Sequence, residues 1–203
     1  MDDRSPKIAG VVLAGGLSRR MGGGDKALRP LAGKPMLAHV LDRAARQVGA
    51  MVLNVNGDPA RFAEFGLPCV ADSVSGFAGP LAGVLAGLDW AAANAPDAEL
   101  VASFPSDAPF LPRDVVRRLY AARDGAAIAI ASSGGRTHPV CGLWPVALRD
   151  DLRRALTVEG IRKVEIWIAR HKSVAVDFAV DPIDPFFNAN APDDLARAEA
   201  LLR

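Results

Sequence analysis

The sequence predicts an α/β fold: a central, mostly parallel sheet flanked by helices, with antiparallel strands added late in the chain. Three observations carry that prediction. Short apolar runs alternate with segments of helical apolar spacing, the pattern of strand–helix–strand units. A Gly134-Gly135 pair between two apolar runs reads as a tight turn joining antiparallel strands. The chain has 203 residues, 50% of them hydrophobic and 23% charged, which suits one compact domain with a sizeable core.

The elements follow in order. Ile8–Leu13 is continuously apolar and ends near paired glycines, as a buried strand does. Pro35 opens a helix to about Val48, with Met36, Val40, Leu41, Ala44 and Val48 at helical spacing and Gly49 closing it. Met51–Val55 reads as a second strand. Phe62 and Phe65 mark a short helix before a brief strand at Cys69–Ala71. Gly79-Pro80 leads into a helix from Leu81 to about Ala93, and Leu100–Phe104 is the next strand, stopping at Pro105-Ser106-Asp107. A helix over Arg113–Ala122 and a strand over Ala126–Ala131 precede the glycine turn, after which Pro139–Trp144 returns as a strand. Helical stretches at Val146–Leu156 and Arg162–Ala169, a strand at Val174–Phe178 and a helix near Asp193–Leu202 complete the chain. No repeat, linker or low-complexity segment divides it, so one domain over residues 1–203 is expected.

Composition narrows the function classes. With 24 basic and 23 acidic residues the net charge is +1, so no general affinity for nucleic acid is implied, and any anion site must be local. Cys69 and Cys141 sit among apolar or small residues and are expected to be buried, reduced thiols. The three histidines are too far apart in sequence to suggest a metal cluster. Neither a signal peptide nor a membrane span is visible, so a cytoplasmic protein is expected; a monomer is expected as well.

The stretch Leu13–Lys26, LAGGLSRRMGGGDK, is the most informative. Glycines let backbone N–H groups close on an anion, and successive N–H groups can form a concave nest. Arg19, Arg20 and Lys26 add fixed positive charge. The combination suits a nucleoside triphosphate, with Gly15 and Gly16 against its phosphates. A P-loop fits poorly, because Gly33-Lys34 is followed by Pro35 and Leu28 stands at the first glycine position. Gly22, Gly24 and Ala27 formally satisfy a dinucleotide fingerprint, yet they lie well past the strand end that motif requires.

Open α/β sheets bind ligands beyond the carboxyl ends of their strands. Here those ends carry Leu13-Ala14-Gly15-Gly16, Asn54 with Asn56, Asp72 and Asp107. Asp107 could hold Mg²⁺ against a phosphate, or could cap the turn or helix near Pro112; position alone supports both readings equally. Asn54 and Asp72 could answer a base or ribose, or could simply shape turns.

The pattern LAGGxxxRMGGxDK is similar to the signature of the sugar-nucleotidyltransferase-like superfamily, and in this form resembles the molybdenum cofactor guanylyltransferase family. Three further segments share the likeness: Asp107–Leu111 (D-x-P-F-L), Arg136–Pro139 (R-x-HP) and Asn188–Asn190 (N-x-N), although Ala191 stands where the family usually has threonine. The resemblance implies a Rossmann-like nucleotidyltransferase fold and Mg²⁺-dependent transfer of GMP from GTP to the phosphate of molybdopterin, releasing pyrophosphate. It further implies Lys26, Asp107 and Arg20 as catalytic groups, with Asp107 on the metal. Leu13, Ala14, Gly15, Gly16, Lys26, Asn54, Asp72 and Asp107 would contact the nucleotide, and Arg136, His138, Arg162, Lys163, Asn188 and Asn190 the acceptor. Arg162 and Lys163 read equally well as a solvated basic helix face. Two alternatives stand beside this reading: a nucleotidyltransferase with another partner, such as a cytidylyl enzyme, and a nucleotide-binding accessory module without catalysis. Delivery of the product to a molybdoenzyme chaperone is the partnership implied.

Overall fold

The computed structural model describes residues 7–15, 25–76, 79–188 and 192–202. Strands β1 (Lys7–Leu13), β4 (Ala50–Asn54), β5 (Cys69–Val70), β6 (Ala98–Pro105), β7 (Ile128–Ser133), β8 (Arg136–Pro145) and β9 (Ser173–Phe178) form one sheet in the order β5-β4-β1-β6-β8-β7-β9. Pairing is parallel between β5 and β4, β4 and β1, and β1 and β6. Only β8 runs against its neighbours, pairing antiparallel with both β6 and β7, while β9 lies parallel to β7. The antiparallel strand expected late in the chain therefore sits inside the sheet.

Helices cover both faces, which is why the strands read as continuous apolar runs rather than as alternating ones. Val12, Leu53 and Phe104 pack with α1 (Met36–Ala44) and α3 (Val115–Ala121) on one face. The adjacent Val11 and Val52, together with Trp144 of β8, pack on the other with α2 (Pro80–Asn94), α4 (Arg149–Thr157) and α5 (Val164–Ile168). Successive strand residues point to opposite faces, so both members of each pair are buried. Inside the sheet the Trp144 indole donates to Ser103 Oγ at 2.7 Å, and that hydroxyl donates to Val140 O at 2.7 Å. No polar atom of that trio is left unmatched, as burial requires.

Several boundaries differ from the sequence expectation. Pro35 lies in β3 (Lys34–Pro35), which pairs antiparallel with β2 (Pro30–Leu31), and the helix begins one residue later. Two-residue strands leave no periodicity to read, so this hairpin is visible only in the tertiary fold. It supports the C-terminal helix α6 (Pro192–Leu202): Leu31, Met36, Phe110 and Ala198 form a small cluster, and Ala32 N donates to Glu199 Oε1 at 3.2 Å. Cys69, expected to be buried, is only half-buried because β5 is the sheet edge, whereas Cys141 is buried. Burial pushes both thiols above their usual pKa and keeps them protonated.

Helix α2 has almost no polar face and presses closely on β1. A Cβ added at Gly87 would stand 2.6 Å from Val11 Cγ1 and 2.7 Å from Val11 Cβ. Alanine usually gains about 1 kcal/mol over glycine in a helix, but overpacking a tight core costs about 1–3 kcal/mol. With Val11 fully buried on β1, an interior strand of the sheet, the overlap wins. Gly87→Ala is expected to lower the melting temperature by about 5 °C, since 1 kcal/mol is worth a few degrees at this size. An unchanged or raised melting temperature, measured by calorimetry, would contradict that packing.

Candidate active site

Register builds the site. Leu13 on β1 pairs with Asn54 on β4 and with Pro105 on β6, and Asn54 pairs with Val70 on β5. The four strand ends therefore form one row across the sheet. Gly15, Asn56, Asp72 and Asp107 each stand two residues beyond that row, so parallel pairing carries all four to the same edge. Because β8 runs the other way, its beginning rather than its end reaches this edge, bringing Arg136 and His138. Pairing with β7 skips from Gly142 to His138, which bulges Pro139–Cys141 out of the ladder and toward the site.

A cleft of about 1000 Å³ opens there, beside the point where connections from β1 lead one way and β6 lies on the other. Leu13, Gly15, Lys26, Asn54, Asp72 and Asp107 line it, as do Arg136, His138 and Asn188. At its centre Lys26 Nζ donates to Asp107 Oδ2 at 2.5 Å, with both side chains largely shielded from solvent. The Asn188 amide, oriented so that its nitrogen donates, lies 3.2 Å from Asp107 Oδ1. A segment 81 residues from Asp107 in sequence thus closes on the same carboxylate.

Asp72 is held from two sides. Asn54 Nδ2 donates to one carboxylate oxygen and Asn56 Nδ2 to the other, each at 3.0 Å, and Asn56 Oδ1 accepts from Asp72 N at 3.2 Å. Asn54 is almost fully buried, so this pair forms the cleft floor. Gly15 sits directly above it: a Cβ there would stand 2.8 Å from Asn56 Nδ2 and 3.5 Å from Asn54 Oδ1.

On the opposite wall His138 Nε2 lies 2.7 Å from Ser133 Oγ, and the ring stacks on Phe186 at 4.7 Å. Burial lowers the His138 pKa from its ordinary value; Asp184 pulls it upward and Arg136 pushes it down. The ring is therefore neutral at neutral pH.

Some expected residues lie elsewhere. Ala14 does not line the cleft: its side chain is buried in the core and its N–H donates to Asn54 O at 2.9 Å, extending the β1–β4 ladder. Arg162 and Lys163 are exposed just before α5 and do not line the cleft either. Gly16, Arg19, Arg20, Gly22–Gly24 and Asn190 lie outside the described residues.

The structure adds residues that sequence reasoning assigned no role. Asp25, with only 6% of its side chain exposed, pairs with Arg61 at 2.5 Å. That contact ties the residue before Lys26 to the short helical turn Pro59–Phe65, which Asp58 caps by accepting from Ala60 N at 2.9 Å. Asn56 was legible as a strand-end amide; Ser133, Asp184 and Phe186 carried no local signal.

Among the described residues no three His, Cys, Asp or Glu side chains gather as a metal cage. Asp107 is a single carboxylate open to the cleft, which fits Mg²⁺, a hard cation that takes one or two carboxylates and completes its shell with phosphate oxygens and water.

Strand order and cleft together define a doubly wound α/β protein with an open cleft at the switch point of its sheet, the place where such sheets characteristically take ligands. A family model described as the MobA-like NTP transferase domain matches residues 10–174. The molybdenum cofactor guanylyltransferase of Rhodopseudomonas palustris strain BisB5 is 59% identical over 198 residues, spanning 97% of this chain and 94% of that protein. Its namesake in Bradyrhizobium sp. strain ORS 278 is 59% identical over 196 residues, spanning 96% and 92%. The crystal structure of molybdopterin-guanine dinucleotide biosynthesis protein A from Archaeoglobus fulgidus superposes with a TM-score of 0.73 at 25% identity, covering 96% of this chain and 98% of that one. The chain belongs to the MobA-like NTP transferase family.

Proposed function

We propose that this chain transfers GMP from GTP to the terminal phosphate of molybdopterin, forming the guanine dinucleotide cofactor and releasing pyrophosphate. One observation carries the reading: Lys26 and Asp107 meet at the centre of a cleft whose floor and far wall are lined by separate polar groups. That layout suits two substrates joined over one cation–carboxylate pair. Near full-length likeness to relatives named for this activity supports the same partners.

In the proposed reaction an oxygen of the acceptor phosphate attacks the α-phosphorus of GTP. A new P–O bond forms as the bond to the bridging oxygen of the β-phosphate breaks. The attacking phosphate is already ionised at neutral pH, so no general base is required. Catalysis is then positioning and charge neutralisation. Lys26, together with Arg20 from the same glycine-rich stretch, neutralises charge on the triphosphate, and N–H groups near Gly15 and Gly16 orient its oxygens. Mg²⁺ on Asp107 would supply further charge neutralisation when bound. Asp72, fixed by Asn54 and Asn56, has lone pairs to spare for N–H donors of guanine. Arg136, His138, Asn188 and Asn190 take the acceptor. Action as a single catalytic domain, a cytoplasmic location, a monomeric state and hand-over to a molybdoenzyme chaperone belong to the same proposal.

The decisive experiment incubates the protein with Mg²⁺, molybdopterin and, separately, GTP, CTP, UTP and ATP, and weighs the products. The expected outcome is a GMP adduct with one pyrophosphate released per adduct, in the GTP reaction only and only with acceptor present. A CMP adduct would overturn the choice of base; no adduct with any nucleotide would overturn the transfer itself.

A further inference from the structure

The far wall of the cleft contains a hydrogen-bonded chain that the transfer reaction does not by itself require. Ser133 Oγ donates to Asp184 Oδ1 at 2.8 Å and lies 2.7 Å from His138 Nε2. Asp184 Oδ1 also accepts from Phe186 N at 2.9 Å, and Phe187 N donates to Asp184 O at 3.0 Å. Phe186 in turn carries the His138 ring on its face and meets Phe178 edge-on at 5.3 Å. The chain thus joins the β7–β8 hairpin to the segment leading to Asn188.

The constellation contains Ser, His and Asp, but it is no hydrolytic triad. In a triad the carboxylate orients the histidine, and the histidine activates the serine. Here the serine stands between the other two, its proton is given to the carboxylate, and only 1% of it is exposed. It cannot attack a substrate.

The direction of those bonds has a consequence for the imidazole. A hydroxyl has a single proton. With that proton committed to Asp184, Ser133 Oγ can only accept from His138, so Nε2 must carry the hydrogen. In a neutral ring the other nitrogen is then a bare acceptor. The ring is neutral at neutral pH because burial disfavours its charged form. Nδ1 has no hydrogen-bond partner among the described residues, and His138 lines the cleft.

We propose that Ser133 and Asp184 are positioning residues that lock His138 in the Nε2–H tautomer, so that Nδ1 presents a lone pair to a ring N–H or amino group of the acceptor. The identity of that donor rests on the functional reading above, since a pterin ring carries such groups. Ser133 and Asp184 touch no substrate. They select what His138 can bind: a hydrogen-bond donor is accepted, and a ring presenting an acceptor at that place is refused. A site built for a hydrogen-bonding partner discriminates strongly against one that lacks it, because the mismatch leaves polar groups unpaired.

The test combines a tautomer measurement with kinetics on the intact chain. Nitrogen-15 histidine NMR, with the His138 signals assigned by their loss in His138→Gln, reports which ring nitrogen is protonated. The wild-type protein is expected to show the Nε2–H form alone. Ser133→Ala is expected to mix both tautomers and raise KM for molybdopterin about tenfold, the scale of one hydrogen bond, with GTP affinity unchanged by calorimetry. Asp184→Asn retains an oxygen that can accept from Ser133 and Phe186 N, and should keep the tautomer. An Nδ1–H ring in the wild type, or an unaltered tautomer and KM in Ser133→Ala, would overturn the proposal. Failure of the wild-type chain to bind GTP would instead overturn the functional reading, and would do so whichever tautomer is seen.

Discussion

Replacing Asp107 with asparagine is expected to leave a folded protein whose turnover has fallen by about three orders of magnitude, the scale seen when a preorganised charge-stabilising group is removed. Asparagine keeps the shape and an acceptor oxygen, so the contact with Asn188 has a counterpart. What disappears is the negative charge facing Lys26 across 2.5 Å. That charge holds the lysine in place and is the group in the cleft suited to Mg²⁺. Folding should suffer far less. The two side chains are 16% and 22% exposed, so water screens part of their attraction. Losing one charge-assisted hydrogen bond costs about 1.5–3 kcal/mol, a melting shift of several degrees at this size. Pyrophosphate release at saturating GTP and acceptor, read beside a thermal melt, separates the two effects. A rate within tenfold of wild type would remove Asp107 from the mechanism.

Turnover in Gly15→Leu should be undetectable while the fold survives. Even the first side-chain carbon would stand 2.8 Å from Asn56 Nδ2 and 3.3 Å from its amide carbon. Neither contact can be absorbed without moving Asn56, and Asn56 together with Asn54 holds both oxygens of Asp72. A leucine therefore fills the space above the cleft floor and disrupts the carboxylate beneath it. Gly15 lies just past the end of β1, however, and is not fully buried. The added side chain can lean into the cleft, so the central sheet need not shift. Gly15→Ala should fall between the two, with weakened GTP binding and residual activity. Calorimetric GTP affinity and a thermal melt on the three proteins check the order; a Gly15→Leu protein that binds GTP normally contradicts it.

Much of this arrangement was legible locally. Ile8–Leu13 announced a buried strand because a sheet covered on both faces leaves no polar alternation, and β1 is observed as Lys7–Leu13. The Gly134-Gly135 turn was equally clear, since both residues adopt positive φ, 54° and 75°, which other residues avoid. Boundaries slipped where a short element was set by its neighbours. The helix expected from Pro35 to Val48 is α-helical only over Met36–Ala44, with a tighter turn at Ala45–Gln47. That end is shaped by Gln47, whose side chain donates to Pro112 O and accepts from Val116 N, contacts no local pattern encodes.

Alone, the sequence determined the class of fold, the glycine-rich loop after the first strand, and a set of polar residues waiting at strand ends. These depend on interactions between near neighbours: burial of consecutive apolar residues, and the freedom of glycine. Tertiary structure decided which of those residues meet. Gly15, Asn56, Asp72 and Asp107 share an edge because four parallel strands pair in one register. His138 joins them because β8 alone runs in reverse. The union of Ser133 with Asp184, 51 residues apart, likewise follows from packing. Strand register and direction are set by the whole core closing at once, and no stretch of chain contains that information by itself.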